Sequence, residues 1–249
     1  MNGKAACSGL TLGIFICAGL SLAAQRKTAT GVLIQDKGKF TIKLAGQTVG
    51  HEEFEIAPAE GGWVAKGASD IKPPQGAPSK VTGALILQSN GAPISYEWSA
   101  KTDKTNGAHI LFANGVARIT LEMEGAHLCT PEEIKDPNRT RPCFFEQDLS
   151  FNTPLIAVLD NNLYYQYAVL ARIYDWSKGG EQVFPVLIPQ EMTPGTVKVL
   201  ATGSATAEGK GYEGLKVSSS ELEIQLLLDH NHRLIRMEVP ESKVSVVRE

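Results

Sequence analysis

Apolar and polar residues alternate with a period of two along most of the chain. In the segment "KFTIKLAGQTVGHEEFEI", Phe40, Ile42 and Leu44 fall on one parity, while Thr41 and Lys43 fall on the other. Such alternation is typical of β-strands that bury one face of a sheet and expose the other face to water. Because the same pattern recurs nearly to the C-terminus, it predicts a protein built mainly of β-strands.

Turn motifs separate these runs at short intervals. The pairs Asn90-Gly91 and Asn114-Gly115 each lie between two alternating runs, and "DHNHR" at 229–233 separates two runs further on. Asn-Gly supplies the positive φ angles that a tight hairpin requires. Consecutive hairpins favour antiparallel neighbours in a meander. We therefore predict a mainly β fold with one large curved antiparallel sheet or open barrel.

One segment departs from the period of two. In "DNNLYYQYAVLARIYDW", large side chains recur three or four residues apart from Leu163 to Tyr174, which is helical spacing. Asp160 or Asn161 has the right chemistry to cap the start of a helix. The sequence thus predicts one main helix over about 161–175, packed on the sheet by its apolar stripe.

The first part of the chain has the features of an export signal. Residues 1–24 carry one charge, Lys4, followed by an apolar run and small residues. We predict cleavage after Ala23 or Ala24, which leaves 25–249 as a single antiparallel β domain in the periplasm or outside the cell. The alternative is an uncleaved membrane anchor, because the apolar run is just long enough to span a bilayer. No second run of that length follows, so no membrane span is expected after cleavage.

Two cysteines remain once the leader is removed. Cleavage takes Cys7 and Cys17 away and leaves Cys129 and Cys143, which enclose a loop rich in proline and charge. An even pair in an oxidising compartment favours a disulfide. A disulfide that closes a loop of this length stabilises the fold by about 3 kcal/mol, because it lowers the conformational entropy of the unfolded chain. The alternative is a metal site that adds His127, but its spacing matches no common zinc motif.

Composition excludes one broad class of partner. The chain has 24 basic and 27 acidic residues, and a formal net charge of −3. Without Lys4, the mature chain would carry 23 basic residues and a net charge of −4. An acidic chain without a basic cluster is not expected to bind nucleic acid by electrostatic attraction.

The sequence indicates no catalytic residue, metal site or cofactor. Acidic residues such as Glu53 and Glu55 occupy the polar parity of strands, where they solvate an exposed face. His230 and His232 lie in a turn between two strands, a setting typical of exposed turn residues. Neither a nucleophile elbow nor a glycine-rich phosphate loop is present. A secreted hydrolase with a site scattered over strand ends remains the least favoured alternative.

Large aromatic and apolar side chains offer a surface that a ligand could contact. If the sheet is curved, a groove between the sheet and the helix would be lined by these side chains. The groove candidates are Tyr96, Trp98, Leu163, Tyr164, Tyr167, Leu170 and Tyr174.

The segments "GKFTIKLAGQTVGHEEFEI" and "DNNLYYQYAVLARIYD" and the terminal strands ending "VSVVRE" together resemble β-rich proteins of the bacterial cell envelope. More distantly, the layout is similar to the periplasmic lipoprotein-carrier superfamily. That resemblance implies a half-barrel whose concave face, covered by helices, holds acyl chains. The first functional hypothesis is accordingly a non-catalytic exported protein that binds a lipid-like or other amphipathic ligand. The alternative is a structural or interaction module of the envelope, with a filled core and an envelope protein as partner.

Overall fold

The computed structural model describes residues 32–207 and 209–249. The leader 1–24 and its cleavage site lie outside the described residues, so the export signal remains a prediction. The described chain forms one sheet of fifteen strands, antiparallel except for one short parallel pair at its edge, which confirms the predicted fold class. The strands are β1 (Asp36–Leu44), β2 (Gln47–Ala59), β3 (Gly62–Ile71), β4 (Ser79–Gln88), β5 (Pro93–Lys101), β6 (Thr105–Ala113), β7 (Val116–Met123), β8 (Phe145–Ser150), β9 (Ala157–Val158), β10 (Glu181–Ile188), β11 (Thr193–Ala207), β12 (Lys210–Ser218), β13 (Glu223–Leu228), β14 (Leu234–Val239) and β15 (Val244–Arg248).

The strands form two meanders that meet in the middle of the sheet. The spatial order is β8 to β1, followed directly by β15 down to β9, so almost every strand lies beside its sequence neighbour. The seam between the meanders is the β1–β15 pair, with Phe40 opposite Arg248 and Leu44 opposite Val244. The Arg248 guanidinium also binds the carboxylate of the buried Asp36, at 2.7 and 3.1 Å. This ion pair holds the two meanders together beside the seam.

The predicted hairpin turns are present. Asn114 and Gly115 have φ angles of +52° and +75°, and Gly91 has a φ of +87°. The turn after β13 also forms, with His232 at a φ of +54°. The Asn-Gly motifs therefore mark two hairpins of the N-terminal meander, β4–β5 and β6–β7.

The sheet is curled, and its two edges are linked by a short stretch of chain. Strand β8 forms one edge and β9 the other, yet only residues 151–156 separate them in sequence. A link of this length spans at most about 25 Å when extended. The two edges must therefore lie near each other, and the sheet wraps around an interior without closing into a barrel.

The main helix lies inside this curl and is shorter than predicted. Helix α2 spans Tyr165–Ile173 rather than 161–175. It starts late because Asn162 adopts a left-handed φ of +63°, which a continuous right-handed helix cannot include. Every residue of α2 except Tyr167 is buried, including Gln166 and Arg172. The predicted apolar stripe was therefore too narrow, because the sheet surrounds the helix.

A second, short helix was not predicted from the sequence. Helix α1 spans Pro131–Lys135 in the loop between β7 and β8, and none of its residues is buried. A 3-10 turn, Pro189–Glu191, follows β10. Among the described residues, no helix has the length and hydropathy needed to cross a membrane.

Candidate functional site

The side chains predicted to line a ligand groove lie in or against the core. Tyr96 and Leu163 have no exposed surface, and Trp98 is 7% exposed. The space enclosed between α2 and the sheet, near Leu170, has a volume of only about 10 Å³. This is about the volume occupied by one water-sized probe, far below the hundreds of Å³ of a ligand pocket. The structure thus places these residues in or against one core, and Trp98 also lines the open groove described below. The remaining candidates, Tyr164, Tyr167 and Tyr174, also pack on this core.

Two glycines let the sheet lie directly against the start of α2. A Cβ on Gly67 would be 2.4 Å from Cδ1 of Tyr165, and a Cβ on Gly83 would be 2.6 Å from Cδ1 of Leu163. The hydroxyl of Tyr96 would lie 2.8 Å from that second Cβ. Real Cβ atoms do not approach other atoms this closely, so a larger residue at either position would force these neighbouring side chains to shift.

A carboxyl group from a distant strand caps α2. The oxygens of Glu52, on β2, accept hydrogen bonds from the backbone N–H groups of Tyr164, at 2.7 Å, and Tyr165, at 3.2 Å. Glu52 is fully buried, and burial raises the pKa of its carboxyl from 4.5 to about 8. Asp160 and Asn161 were predicted to cap the helix and do not, because the chain turns at Asn162 before α2 begins.

Asp160 instead anchors the chain that enters α2. Its carboxylate accepts hydrogen bonds from the Tyr96 hydroxyl and the backbone N–H groups of Asn161 and Gln190, at 2.9–3.1 Å. Its own backbone N–H donates to the side chain of Gln166. Burial raises the pKa of the Asp160 carboxyl from 3.8 to about 6.

These buried acids have perturbed pKa values but no access to a substrate. Neither Glu52 nor Asp160 lines the small enclosed cavity or the groove described below. Their oxygens are occupied by donors that fix the position of α2, so we assign them a structural role. Sequence reasoning missed Glu52, although it lies on the same inward parity of β2 as Phe54 and Ile56. An acidic residue on the apolar parity of a strand was therefore the sequence signal that could have identified Glu52.

An open groove of about 990 Å³ lies on the outer face of β1–β5, directly behind the glycines that contact α2. Three rows of residues cross the five strands there, as the strand registers show. The middle row, whose side chains point toward the core, is Gly38, Phe54, Gly67, Gly83 and Trp98. The two outward rows are Lys39, Glu53, Ala68, Thr82 and Ser99, and Lys37, Glu55, Lys66, Ala84 and Glu97.

The groove has a smooth floor and a charged border. Ala68, Thr82 and Ala84 give the floor short side chains, and the glycines behind it expose backbone. The border holds three lysines and three glutamates, and one pair of them, Lys66 and Glu55, lies 3.7 Å apart. Five strands about 4.8 Å apart make the groove roughly 19 Å long. We call this surface the outer groove.

The predicted disulfide between Cys129 and Cys143 is present, with the Cα atoms 5.4 Å apart. It closes the loop that contains α1, and we call residues 127–143 the clasped loop. His127 Nε2 lies 3.0 Å from Glu133 Oε1 within this loop. The two histidines of the turn after β13 have separate surroundings, and His230 is exposed beside the side chain of Asn231. His232 pairs with Glu213 and stacks on Trp176 at 4.0 Å.

The sequence matches no protein-family model and no curated protein. Its fold is similar to that of a crystal structure from Brucella abortus, described as a beta-barrel-like protein of domain of unknown function DUF1849. The two chains share 9% sequence identity with a TM-score of 0.55, over 87% of this chain and 95% of that one. A DUF1089 family protein from Pseudomonas aeruginosa shows a looser likeness, with 10% identity and a TM-score of 0.43 over 77% of this chain and 90% of that one. The first comparison supports the β-barrel-like fold.

Proposed function

We propose that the protein is a non-catalytic exported binding protein whose partner, an extended polypeptide segment, lies in the outer groove. The observation that carries this proposal is the contrast between two spaces. The enclosed space beside Leu170 has a volume of about 10 Å³, whereas the outer groove offers about 990 Å³. A ligand can therefore enter the outer groove without any rearrangement of the core.

The shape of the outer groove suits an extended chain. A length of roughly 19 Å accommodates about six residues in extended conformation. The short side chains of Ala68, Thr82 and Ala84 leave room for the side chains of a partner. The outer groove is open to solvent, so it would not shield an acyl chain from water.

The charges along the border favour a partner with charges of both signs. One outward row runs Lys37, Glu55, Lys66, Ala84 and Glu97 across the strands. Alternating signs select the register and direction of a charged partner more than they add affinity. A polypeptide with spaced acidic and basic residues meets this requirement.

Export of the protein also forms part of the proposal. The disulfide between Cys129 and Cys143 supports an oxidising compartment, because such bonds are rare in reducing cytosols. The apolar leader of residues 1–24 supports the same location. A partner in the cell envelope is then the natural candidate.

Site-specific photo-crosslinking tests the proposal. A photoreactive residue replaces Thr82 or Ala84 on the groove floor, and the control carries it at the exposed Gln225 on β13. We expect discrete protein adducts in the native host from both floor positions and none from Gln225. The floor adducts should disappear in the K37E/K66E variant, which reverses two charges of the border.

Two results would count against this function. Adducts that form equally from Gln225, or that survive K37E/K66E, would show that the outer groove does not select the partner. The second result would come from native mass spectrometry of gently extracted protein. A stoichiometric lipid, retained by the wild type and by K37E/K66E alike, would support the amphipathic-ligand hypothesis in place of a polypeptide.

A further inference from the structure

We propose that the clasped loop binds a zinc ion when its disulfide is reduced, with Cys129, Cys143, His127 and Glu133 as the four ligands. The loop would then have two exclusive states, a disulfide and a metal site. This assignment is independent of the outer groove, which lies on β1–β5.

Three ligand atoms already converge in the oxidised loop. The Nε2 atom of His127 lies 3.0 Å from Oε1 of Glu133 and 3.6 Å from Sγ of Cys129. All three ligand atoms lie within 4.8 Å of one another. Around a tetrahedral zinc ion with ordinary bond lengths, neighbouring ligand atoms are about 3.3–3.8 Å apart. The fourth ligand, Cys143, is bonded to Cys129 and is freed beside it by reduction.

Backbone hydrogen bonds hold these ligands together in addition to the disulfide. The N–H of His127 donates to the carbonyl of Pro142, at 3.1 Å, and its carbonyl accepts from Phe144, at 3.0 Å. These bonds place His127 beside Cys143 in a parallel bridge. Breaking the sulfur–sulfur bond therefore leaves the two ends of the loop in register.

Helix α1 orients the carboxylate ligand. Thr130 and Glu133 form a capping box, in which Glu133 Oε2 accepts the backbone N–H of Thr130 at 2.8 Å. The other oxygen, Oε1, is left to face His127. A carboxylate fixed through one oxygen presents the second in a defined direction, as supporting hydrogen bonds do in metal sites.

The conversion balances with a dithiol as the reductant. The dithiol supplies two electrons and two protons, becomes a disulfide itself, and leaves Cys129 and Cys143 as thiols. Zinc then displaces the two thiol protons and binds both thiolates, neutral His127 and the Glu133 carboxylate. The oxidised sulfurs have no negative charge to offer the ion, so the disulfide state lacks the site. Bound zinc in turn occupies both thiolates and slows their reoxidation.

Cobalt titration of the full chain tests this inference, with the leader cysteines Cys7 and Cys17 replaced by serine in every sample. After reduction with a phosphine, we expect one equivalent of Co²⁺ to give the visible d–d and thiolate charge-transfer bands of a tetrahedral site. One equivalent of Zn²⁺ should abolish them. The oxidised protein should show no bands, and C129S/C143S should show none after reduction.

The nitrogen and oxygen ligands need separate variants. H127A and E133Q should each weaken cobalt binding by about 10–100-fold, and H127Q should weaken it likewise while keeping a polar side chain. H109A is the matched control, because His109 lies on β6 beside Glu97 and away from the clasped loop. Unchanged affinity in H127A and E133Q would show that only the two thiols bind the metal, which would overturn the four-ligand site. Equal binding by the oxidised protein would show that the disulfide and the metal site are not exclusive states.

Discussion

The side-chain carboxyl group of Glu52 accepts a hydrogen bond from the backbone N–H of Tyr165, 3.2 Å away and 113 residues later in the chain. A helix normally finds its cap in the residue just before it. Here the cap comes from a strand of the N-terminal meander, so one side chain fixes both the position of α2 and the strand beneath it.

Removing this cap should destabilise the whole fold. In the E52A variant the N–H groups of Tyr164 and Tyr165 lose their acceptor, and a cavity replaces the side chain. We expect the free energy of unfolding in urea to fall by about 2–4 kcal/mol. The matched control is E53A, on the outward parity of the same strand, which should change stability by less than about 0.5 kcal/mol. Similar losses in both variants would argue against a capping role for Glu52.

The stability of the protein should decrease from mildly acidic to mildly alkaline pH. Burial raises the pKa of Glu52 to about 8 in the fold, against 4.5 in the unfolded chain. The folded state thus holds an extra proton between these values, and its stabilising effect is complete below pH 4.5 and lost as pH approaches 8. One such proton changes stability by at most about 1.4 kcal/mol per pH unit.

The E52Q variant tests this pH dependence directly, because glutamine keeps the shape and does not titrate. Asp160, whose pKa burial raises to about 6, adds a smaller decrease at lower pH. Urea unfolding at a series of pH values should show a weaker slope above pH 6 in E52Q than in the wild type. E53Q should keep the wild-type slope. An unaltered slope in E52Q would mean that Glu52 is ionised in the folded protein.

The contact between Gly67 and Tyr165 should not tolerate a methyl group. In G67A the added Cβ would lie 2.4 Å from Tyr165 and 2.5 Å from Glu52. We expect a loss of about 1–3 kcal/mol in urea unfolding from overpacking. G211A is the control, since a Cβ there has no neighbour within 4 Å. The combined G67A/Y165L variant should lose less stability than the sum of the losses of G67A and Y165L. Strictly additive losses would show that the added methyl group does not clash with Tyr165.

The disulfide should hold the clasped loop together after proteolysis. Arg139 is exposed within this loop and is followed by Thr140, so brief trypsin treatment should nick the chain after Arg139. Without reductant the nicked chain should run as one band in denaturing electrophoresis, and with reductant as two. C129S/C143S should give two bands under both conditions. Separation of the wild-type fragments without reductant would show that the two cysteines are not linked.

The alternation of residues predicted most of the sheet because a period of two decides which face of a strand is buried. Asn114-Gly115 marked a hairpin for an equally local reason, the positive φ angles of that turn. The Cys129–Cys143 bond was predicted from the number of cysteines and the expected compartment. None of these inferences needed knowledge of distant contacts.

What the sequence did not predict depends on contacts between distant segments. The helical spacing from Leu163 to Tyr174 indicated a helix with one buried side, but a curled sheet buries α2 on nearly all sides. The inward parity of Glu52 marks a buried acid, but its role as a cap is visible only once Tyr165 is known to lie opposite. The outer groove combines rows from five strands, and those rows exist only after the registers are set.

The seam between β1 and β15 has a consequence for how a newly made chain reaches its final form. Each meander can assemble from neighbours in sequence, whereas the seam joins Phe40 to Arg248 across roughly two hundred intervening residues. Distant pairings form late because closing a long loop costs entropy before any contact repays it. Until that moment β1 presents an unpaired edge to its surroundings, and unpaired edges promote aggregation. We therefore expect a half-assembled copy to be prone to aggregation until its two halves meet.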